Sequence, residues 1–309
     1  MNLLKGIQDK TDVVNSYKNI TVLNSIITHI QRAETYLNRG REEQEEDYFT
    51  DVIYRTNQAY EGILKESYKV FTGHDPSSKP LYKIEEYFDQ NDIFNKRVLD
   101  LFTNYRINWR NVSTHDYNLF FSEDEAYLAI VSVSSFIYIL LNQIIEKLSY
   151  NEEKEIIQKE KPLKDQIAQY ENLDFFNQIN EILSRFKLNR EKKDKQTEIE
   201  FIGAIEAFLE FNDPSLVIYR EPQFWQKSTL FTPDLIVEKN NHKIYIEVKK
   251  EITEKTLNSN AKRLNRYLEQ EIVEKMILIT TSKVIGLKEK FMNRIEKSEN
   301  VNIIIIETN

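Results

Sequence analysis

The sequence predicts a multidomain α + α/β chain: an N-terminal antiparallel helical bundle followed by a mixed-sheet domain of αβββαβ order. Three observations lead there. Apolar residues recur at spacings of three and four as far as about residue 150. Two charge-rich stretches, "NEEKEIIQKEK" and "NREKKDKQ", then interrupt the chain, and after Thr197 the pattern alternates between helical and strand periods. At 309 residues the chain also exceeds the size at which single cores stop growing, about 250–300 residues, so a division is expected. The boundaries are read as 1–150 for the bundle, 151–195 for a charged, partly helical linker, and 196–309 for the sheet domain.

The elements follow in order. Ile20, Leu23, Ile26, Ile27, Ile30, Ala33 and Leu37 form one buried helical face, and Phe49, Val52, Ile53, Tyr60, Ile63, Leu64 and Tyr68 form a second, closed by the turn-rich "TGHDPSSKP". A third helical region starts at Ile84, breaks at "DQND" and resumes along Leu101, Tyr105, Trp109 and Val112. The fourth opens at "SEDE", where Ser122 and Glu125 have capping-box spacing, and runs on to Leu148, completing a bundle. A short helix surrounds Phe175, Ile179, Ile182 and Phe186 in the linker. Beyond it come a helix over 198–211, strands near 216–224, 233–238 and 243–249, a helix over 257–270, a strand at 276–280, a helix near 285–296 and a last strand at 301–307.

Composition narrows the function classes. A net charge of -8 argues against coating nucleic acid by bulk charge, so any such contact is confined to a local groove. With no cysteine, disulfides and thiolate metal sites are excluded, a reducing cytoplasm is expected, and a metal must sit on oxygen or histidine. The longest apolar run, near Phe136–Leu141, falls short of the ~18 residues that span a bilayer, so neither a membrane segment nor a leader is expected.

Two apolar strand patterns meet at Asn240-Asn241, residues that tolerate the positive φ angles of a type I′ turn. Counting outward from that turn sets Asp234 opposite Glu247, with Lys249 on the same face. Like charges directly opposed destabilise a sheet, so the pair needs a cation: Lys249, or a divalent ion. Two carboxylates with the Val248 carbonyl make the partial oxygen shell that Mg²⁺ or Mn²⁺ takes while keeping waters and phosphate oxygens. "PD" at Pro233-Asp234 and, a thirteen-residue step on from Asp234, "EVK" at Glu247-Val248-Lys249 resemble the PD-(D/E)XK restriction-endonuclease-like superfamily. The resemblance covers about the last third of the chain. It implies a nuclease-like sheet domain in which Asp234, Glu247 and the Val248 carbonyl hold the metal, Lys249 serves the reacting phosphate, and Glu198 in "TEIEFIGAIEAFLE" adds a carboxylate from the preceding helix. It also nominates Lys262 and Arg263, in "NAKRLNRYLEQ", as substrate-binding residues.

In the bundle, "RNVSTH" places Arg110, Asn111 and His115 together. On a continuous helix positions 110 and 115 lie about 140° apart, so either the helix ends at Ser113-Thr114 or a second protomer completes the site. The motif, near the end of a third helix, resembles the Rx4-6H motif of the HEPN superfamily. That resemblance covers roughly residues 1–150 and implies homodimerisation and a metal-independent ribonuclease site. In it His115 moves a proton, Arg110 and the preceding Arg106 hold phosphate, and Asn111 positions it.

The expected function is therefore a nuclease acting on DNA, RNA or both. The combination of two nuclease-type modules resembles bacterial anti-phage or abortive-infection effectors, with an operon-encoded partner as a further expectation. Two other readings stay open: a single-activity DNA nuclease whose bundle only dimerises or senses, and a non-catalytic nucleic-acid-binding or toxin–antitoxin partner.

Overall fold

The structure, a computed structural model, describes residues 3–18, 20–91, 93–94, 96–115, 120–187, 196–222, 224–226, 229–269 and 275–306. The chain divides into two units, Met1–Leu148 and Ser149–Asn309.

The first unit is helical. It comprises α1 (Leu3–Tyr17), α2 (Thr21–Glu43), α3 (Asp47–Thr72), α4 (Leu81–Gln90), α5 (Lys96–Tyr105), a π turn at Arg106–Arg110, α6 (Asn111–His115) and the start of α7 (Glu123–Ile157). The sequence reading has no counterpart of α1. Its buried face is Ile7, Thr11 and Val14, and the threonine in the middle masks the apolar period. Gln44, with a left-handed φ of 57°, turns the chain from α2 into α3. Leu37, Phe49, Val52, Ala126 and Ile130 then pack as one cluster, shared by α2, α3 and α7. α7 begins with the capping box read from "SEDE": the Ser122 amide donates to Glu125 Oε2 at 2.8 Å, and the Glu125 amide donates to Ser122 Oγ at 3.3 Å. Contrary to the short apolar run seen in the sequence, α7 is long and apolar enough by length and composition to cross a membrane, and 56% of its most apolar window is buried in the fold.

The α2–α3 hairpin depends on a close approach at Gly40. A Cβ there would stand 2.5 Å from Cε1 of the buried Phe49 ring. Overpacking of this kind costs ~1–3 kcal/mol, against ~1 kcal/mol of helix propensity gained. Gly40→Ala is therefore expected to lower the melting temperature, which a thermal unfolding scan of the two proteins checks.

The second unit holds a mixed five-stranded sheet. After α8 (Phe175–Leu183) and α9 (Glu198–Asn212) come β1 (Val217–Arg220), β2 (Phe224–Gln226), β3 (Thr229–Phe231), β4 (Leu235–Lys239), β5 (His242–Glu251), α10 (Leu257–Glu269), β6 (Met276–Thr281), α11 (Leu287–Met292) and β7 (Val301–Ile306). Strand order is β1-β4-β5-β6-β7; β1, β4 and β5 pair antiparallel, while β5, β6 and β7 run parallel. β2 and β3 form a separate two-stranded sheet. The single strand expected over 216–224 is thus divided. Glu221, at a φ of 38°, stops β1, and Phe224 belongs to the added hairpin.

Residues 151–195, read as a linker, in part build this unit's core. Ile157, Tyr170, Ile179, Ile182, Leu183 and Phe186 are buried with Phe201 and Ile205 of α9 and with Ile244, Ile246 and Val248 of β5. The charged surface residues of the stretch hid an amphipathic interior. The opposite face of the sheet carries Ile236, Tyr245 and Leu278 against Leu257, Ala261, Leu264 and Tyr267 of α10 and Phe291 of α11. Strand alternation therefore sends Ile244, Ile246 and Val248 toward α9, and Tyr245 and Glu247 toward the α10 side.

Candidate active site at the end of β5

The site rests on one turn and one bulge. Asn240 and Asn241 take φ angles of 52° and 66°, the positive pair of a type I′ turn, and Lys239 pairs with His242. The register runs back to Leu235 opposite Ile246, which brings the next residue out, Asp234, beside Glu247. At the other end of β5 the pairing with β6 slips between Lys249 and Glu251. The extra residue is Lys250, and its unpaired amide donates to Glu198 Oε2 at 3.3 Å. A bulge frees a backbone group in this way and re-aims the neighbouring side chain.

Glu198 arrives from the start of α9. Thr197 caps that helix and Glu200 closes a capping box with it, leaving Glu198 as the first-turn carboxylate free to face β5. Phe201, Ile202 and Ile205 are buried behind it and hold the helix in place. Glu200, the other acidic residue of that turn, is spent on the cap.

These elements converge on the Lys249 ammonium. Its Nζ is 3.0 Å from Glu198 Oε1, 3.2 Å from Glu247 Oε1, 3.7 Å from Asp234 Oδ2 and 2.7 Å from the Val248 carbonyl to which it donates. Asp234 Oδ2 also accepts the Val248 amide at 2.6 Å. Arg263, from α10, approaches Glu247 Oε1 at 2.9 Å. Lys262, its neighbour on α10, is exposed.

Electrostatics follow from burial. The Asp234 carboxyl is pushed well above the usual carboxylate range by burial, then by the charge of Glu247. Glu247, fully buried, is raised by burial as well. Burial opposes the charge on Lys249, but Asp234, Glu247 and Glu198 outweigh it and hold the ammonium above its ordinary value. Among the described residues neither buried oxygen of Glu247 has a hydrogen-bond partner; the ion pairs with Lys249 and Arg263 both fall on Oε1, and Oε2 has neither. A buried carboxylate oxygen left without a partner is costly.

The donor set suits a hard divalent cation. Two carboxylates, one of them without a hydrogen bond among the described residues, and a main-chain carbonyl supply oxygen ligands only, as Mg²⁺ and Mn²⁺ prefer. Among the described residues no group of three or more His, Cys, Asp or Glu is spaced to hold an ion alone, so waters and substrate oxygens would complete the shell.

The bundle motif sits on the π turn. The Asn111 amide bonds to the Arg106 carbonyl, the i to i+5 pattern of a π turn, a geometry frequent at functional sites. A buried polar chain fixes it: the Tyr105 hydroxyl lies 2.7 Å from Asn57 Oδ1, Asn57 Nδ2 donates to Ser113 Oγ at 2.8 Å, and Ser113 Oγ donates to the Arg110 carbonyl at 3.1 Å. Arg106 pairs with Glu85 at 2.5 Å and Arg110 with Glu61 at 3.5 Å, while Arg110 Nη1 donates to Asn111 Oδ1 at 3.4 Å. Neither Glu61 nor Glu85 was singled out by the sequence, because their partners lie 49 and 21 residues away and no local pattern marks them. Of the two alternatives the sequence left open, the helix does not end at Ser113-Thr114: α6 runs through His115, with Ser113 buried and hydrogen-bonded; the His115 side chain lies outside the described residues.

No protein-family model matches the chain, and no curated protein or solved structure matches it.

Proposed function

We propose that the chain is a nuclease with a PD-(D/E)XK-like, metal-dependent phosphodiesterase site in its second unit. The observation that carries this reading is the convergence of Glu198, Asp234, Glu247 and the Val248 carbonyl on one ammonium at the bulged end of β5. In it, Asp234, Glu247 and the Val248 carbonyl hold Mg²⁺ or Mn²⁺. A bound ion there would polarise a phosphodiester and make a water easier to deprotonate. Lys249, held by Glu198, donates to a phosphoryl oxygen and offsets its growing negative charge. Glu198, whose side chain is 41% exposed, stands where it can accept a proton from an attacking water.

A second reading is favoured by the π turn. In it the first unit is a HEPN-like module in which Arg106 and Arg110 bind phosphate, Asn111 positions it and His115 moves a proton without metal. Because α6 continues through His115, positions 110 and 115 of one chain stay about 140° apart, and a second protomer would complete the site. Anti-phage defence or abortive infection, with nucleic acid as substrate and an operon-encoded partner, belongs to the same proposal by analogy of architecture.

The test is cleavage of labelled double-stranded DNA and single-stranded RNA, with Mg²⁺ and with EDTA. Cleavage that needs Mg²⁺ is expected from the sheet unit, and RNA cleavage that persists in EDTA from the helical unit. His115→Ala is expected to remove only the EDTA-resistant activity, by on the order of 10²–10⁴-fold. No cleavage of either substrate under both conditions would leave only the non-catalytic binding protein.

A further inference from the structure

Arg263 stands between the buried interior and the surface. Its Nη2 is 2.9 Å from Glu247 Oε1, and its Nε donates to the Tyr267 hydroxyl at 3.2 Å. Its side chain is 43% exposed, against 1% for Glu247. Tyr267 is itself buried, its ring 5.1 Å from that of Phe231, and so forms a fixed post one helical turn beyond the arginine.

Charge at the site is unevenly shared. Glu247 Oε1 takes the ion pairs of both Lys249 and Arg263, while among the described residues Oε2 takes none. Counted as ionised groups, Glu198, Asp234 and Glu247 against Lys249 and Arg263 leave one negative charge, which a divalent ion would turn into one positive charge. One cation is then in excess. Lys249 is held by three carboxylates and a carbonyl and is 15% exposed, whereas among the described residues Arg263 has a single ion pair with the cluster, to Glu247, and already reaches solvent.

Resting on the metal-site reading above, we infer that Arg263 is an internal counter-ion of Glu247 that a divalent ion displaces, and that the freed guanidinium, pivoting on Tyr267, binds a phosphate of the nucleic-acid backbone. The planar fork of arginine suits both partners, a carboxylate before the ion arrives and a phosphodiester after it. The incoming phosphate, carrying one negative charge, restores neutrality. Metal loading and substrate binding are thereby coupled: Arg263 weakens the ion by the same factor as the ion weakens the Arg263–Glu247 pair. In the metal-free protein Arg263 offsets the charge of the buried carboxylate and is itself withheld from substrate.

The test is a calorimetric titration of the full chain with Mn²⁺ in the absence of nucleic acid, for the native protein, Arg263→Ala and Arg263→Gln. The glutamine variant retains a hydrogen-bonding side chain, and melting curves confirm that each protein is folded. Both variants are expected to bind Mn²⁺ about tenfold more tightly, because a competing cation is gone. In a second arm, with Ca²⁺ as the ion, binding of a labelled DNA duplex or single-stranded RNA is expected to weaken about tenfold in both. Native protein that binds Mn²⁺, with variants of unchanged or weaker affinity, would overturn the displacement and leave the metal site standing. Tighter Mn²⁺ binding without weaker nucleic-acid binding would overturn the phosphate contact. Native protein that binds no Mn²⁺ would remove the metal-site reading and this inference together.

Discussion

Asp234→Asn is expected to abolish Mg²⁺-dependent cleavage, by on the order of 10³-fold, and at the same time to stabilise the metal-free protein. The two effects share a cause. Asparagine keeps a side-chain oxygen to accept the Val248 amide but removes one of two opposed, buried negative charges. Loss of that charge takes away a metal ligand, and it also relieves a desolvation and repulsion cost of about 1 kcal/mol or more. The pH dependence gives the sign. A carboxyl whose folded pKa is raised binds more protons folded than unfolded, so stability falls as pH rises from the unfolded value of 3.8 through the raised folded value, and is flat above it. The metal-free native protein is therefore expected to lose melting temperature across that interval, and Asp234→Asn to lose less. Matched melting curves from acid to pH 8, in EDTA, check it; equal slopes for the two proteins would count against a strained Asp234.

Lys249→Met is expected to do the opposite to stability. Its ammonium touches Glu198, Asp234, Glu247 and the Val248 carbonyl, and methionine of similar length offers none of them a proton. Removing one partner of a buried ionic cluster leaves the others uncompensated, at a cost of about 3–5 kcal/mol. Arg263 still covers Glu247 Oε1, which places the expected loss at the low end of that range. A divalent ion bound only to the folded state restores stability by mass action. The variant should therefore melt well below the native protein in EDTA and recover more than it does on adding Mg²⁺, while cleavage stays lost because no ammonium meets the phosphate. Denaturant titrations with and without Mg²⁺ measure both quantities; equal Mg²⁺ stabilisation of the two proteins would mean that Lys249 does not stand where the ion binds.

Several parts of this arrangement were readable from the amino-acid sequence, each for a local reason. The facing of Asp234 and Glu247 follows from an Asn-Asn turn between alternating apolar residues, and a period of two leaves no freedom in which side chain faces which. Glu198 was readable because Phe201, Ile202 and Ile205 fix the helical phase behind it. Choosing between Lys262 and Arg263 was not possible from spacing alone. They differ by one 100° step on α10, and only the placement of Leu264, Tyr267 and Leu268 in the core shows which of the two turns toward Glu247. What stayed hidden is non-local or irregular. α1 carries a threonine in its buried stripe, the β2–β3 hairpin begins after a single left-handed residue, and the carboxylates facing Arg106 and Arg110 come from α4 and α3. The π turn has no composition of its own, since the polar contacts of Tyr105, Asn57 and Ser113 that accompany it join residues 48 and 56 positions apart.

The most direct test is a crystal of the protein soaked in Mn²⁺ and measured for anomalous scattering. A peak bounded by the Asp234 and Glu247 carboxylates and the Val248 carbonyl, with Arg263 turned away from Glu247, is the expected result. A peak elsewhere, or none at a Mn²⁺ concentration that supports cleavage in solution, would contradict a metal-dependent phosphodiesterase at the end of β5.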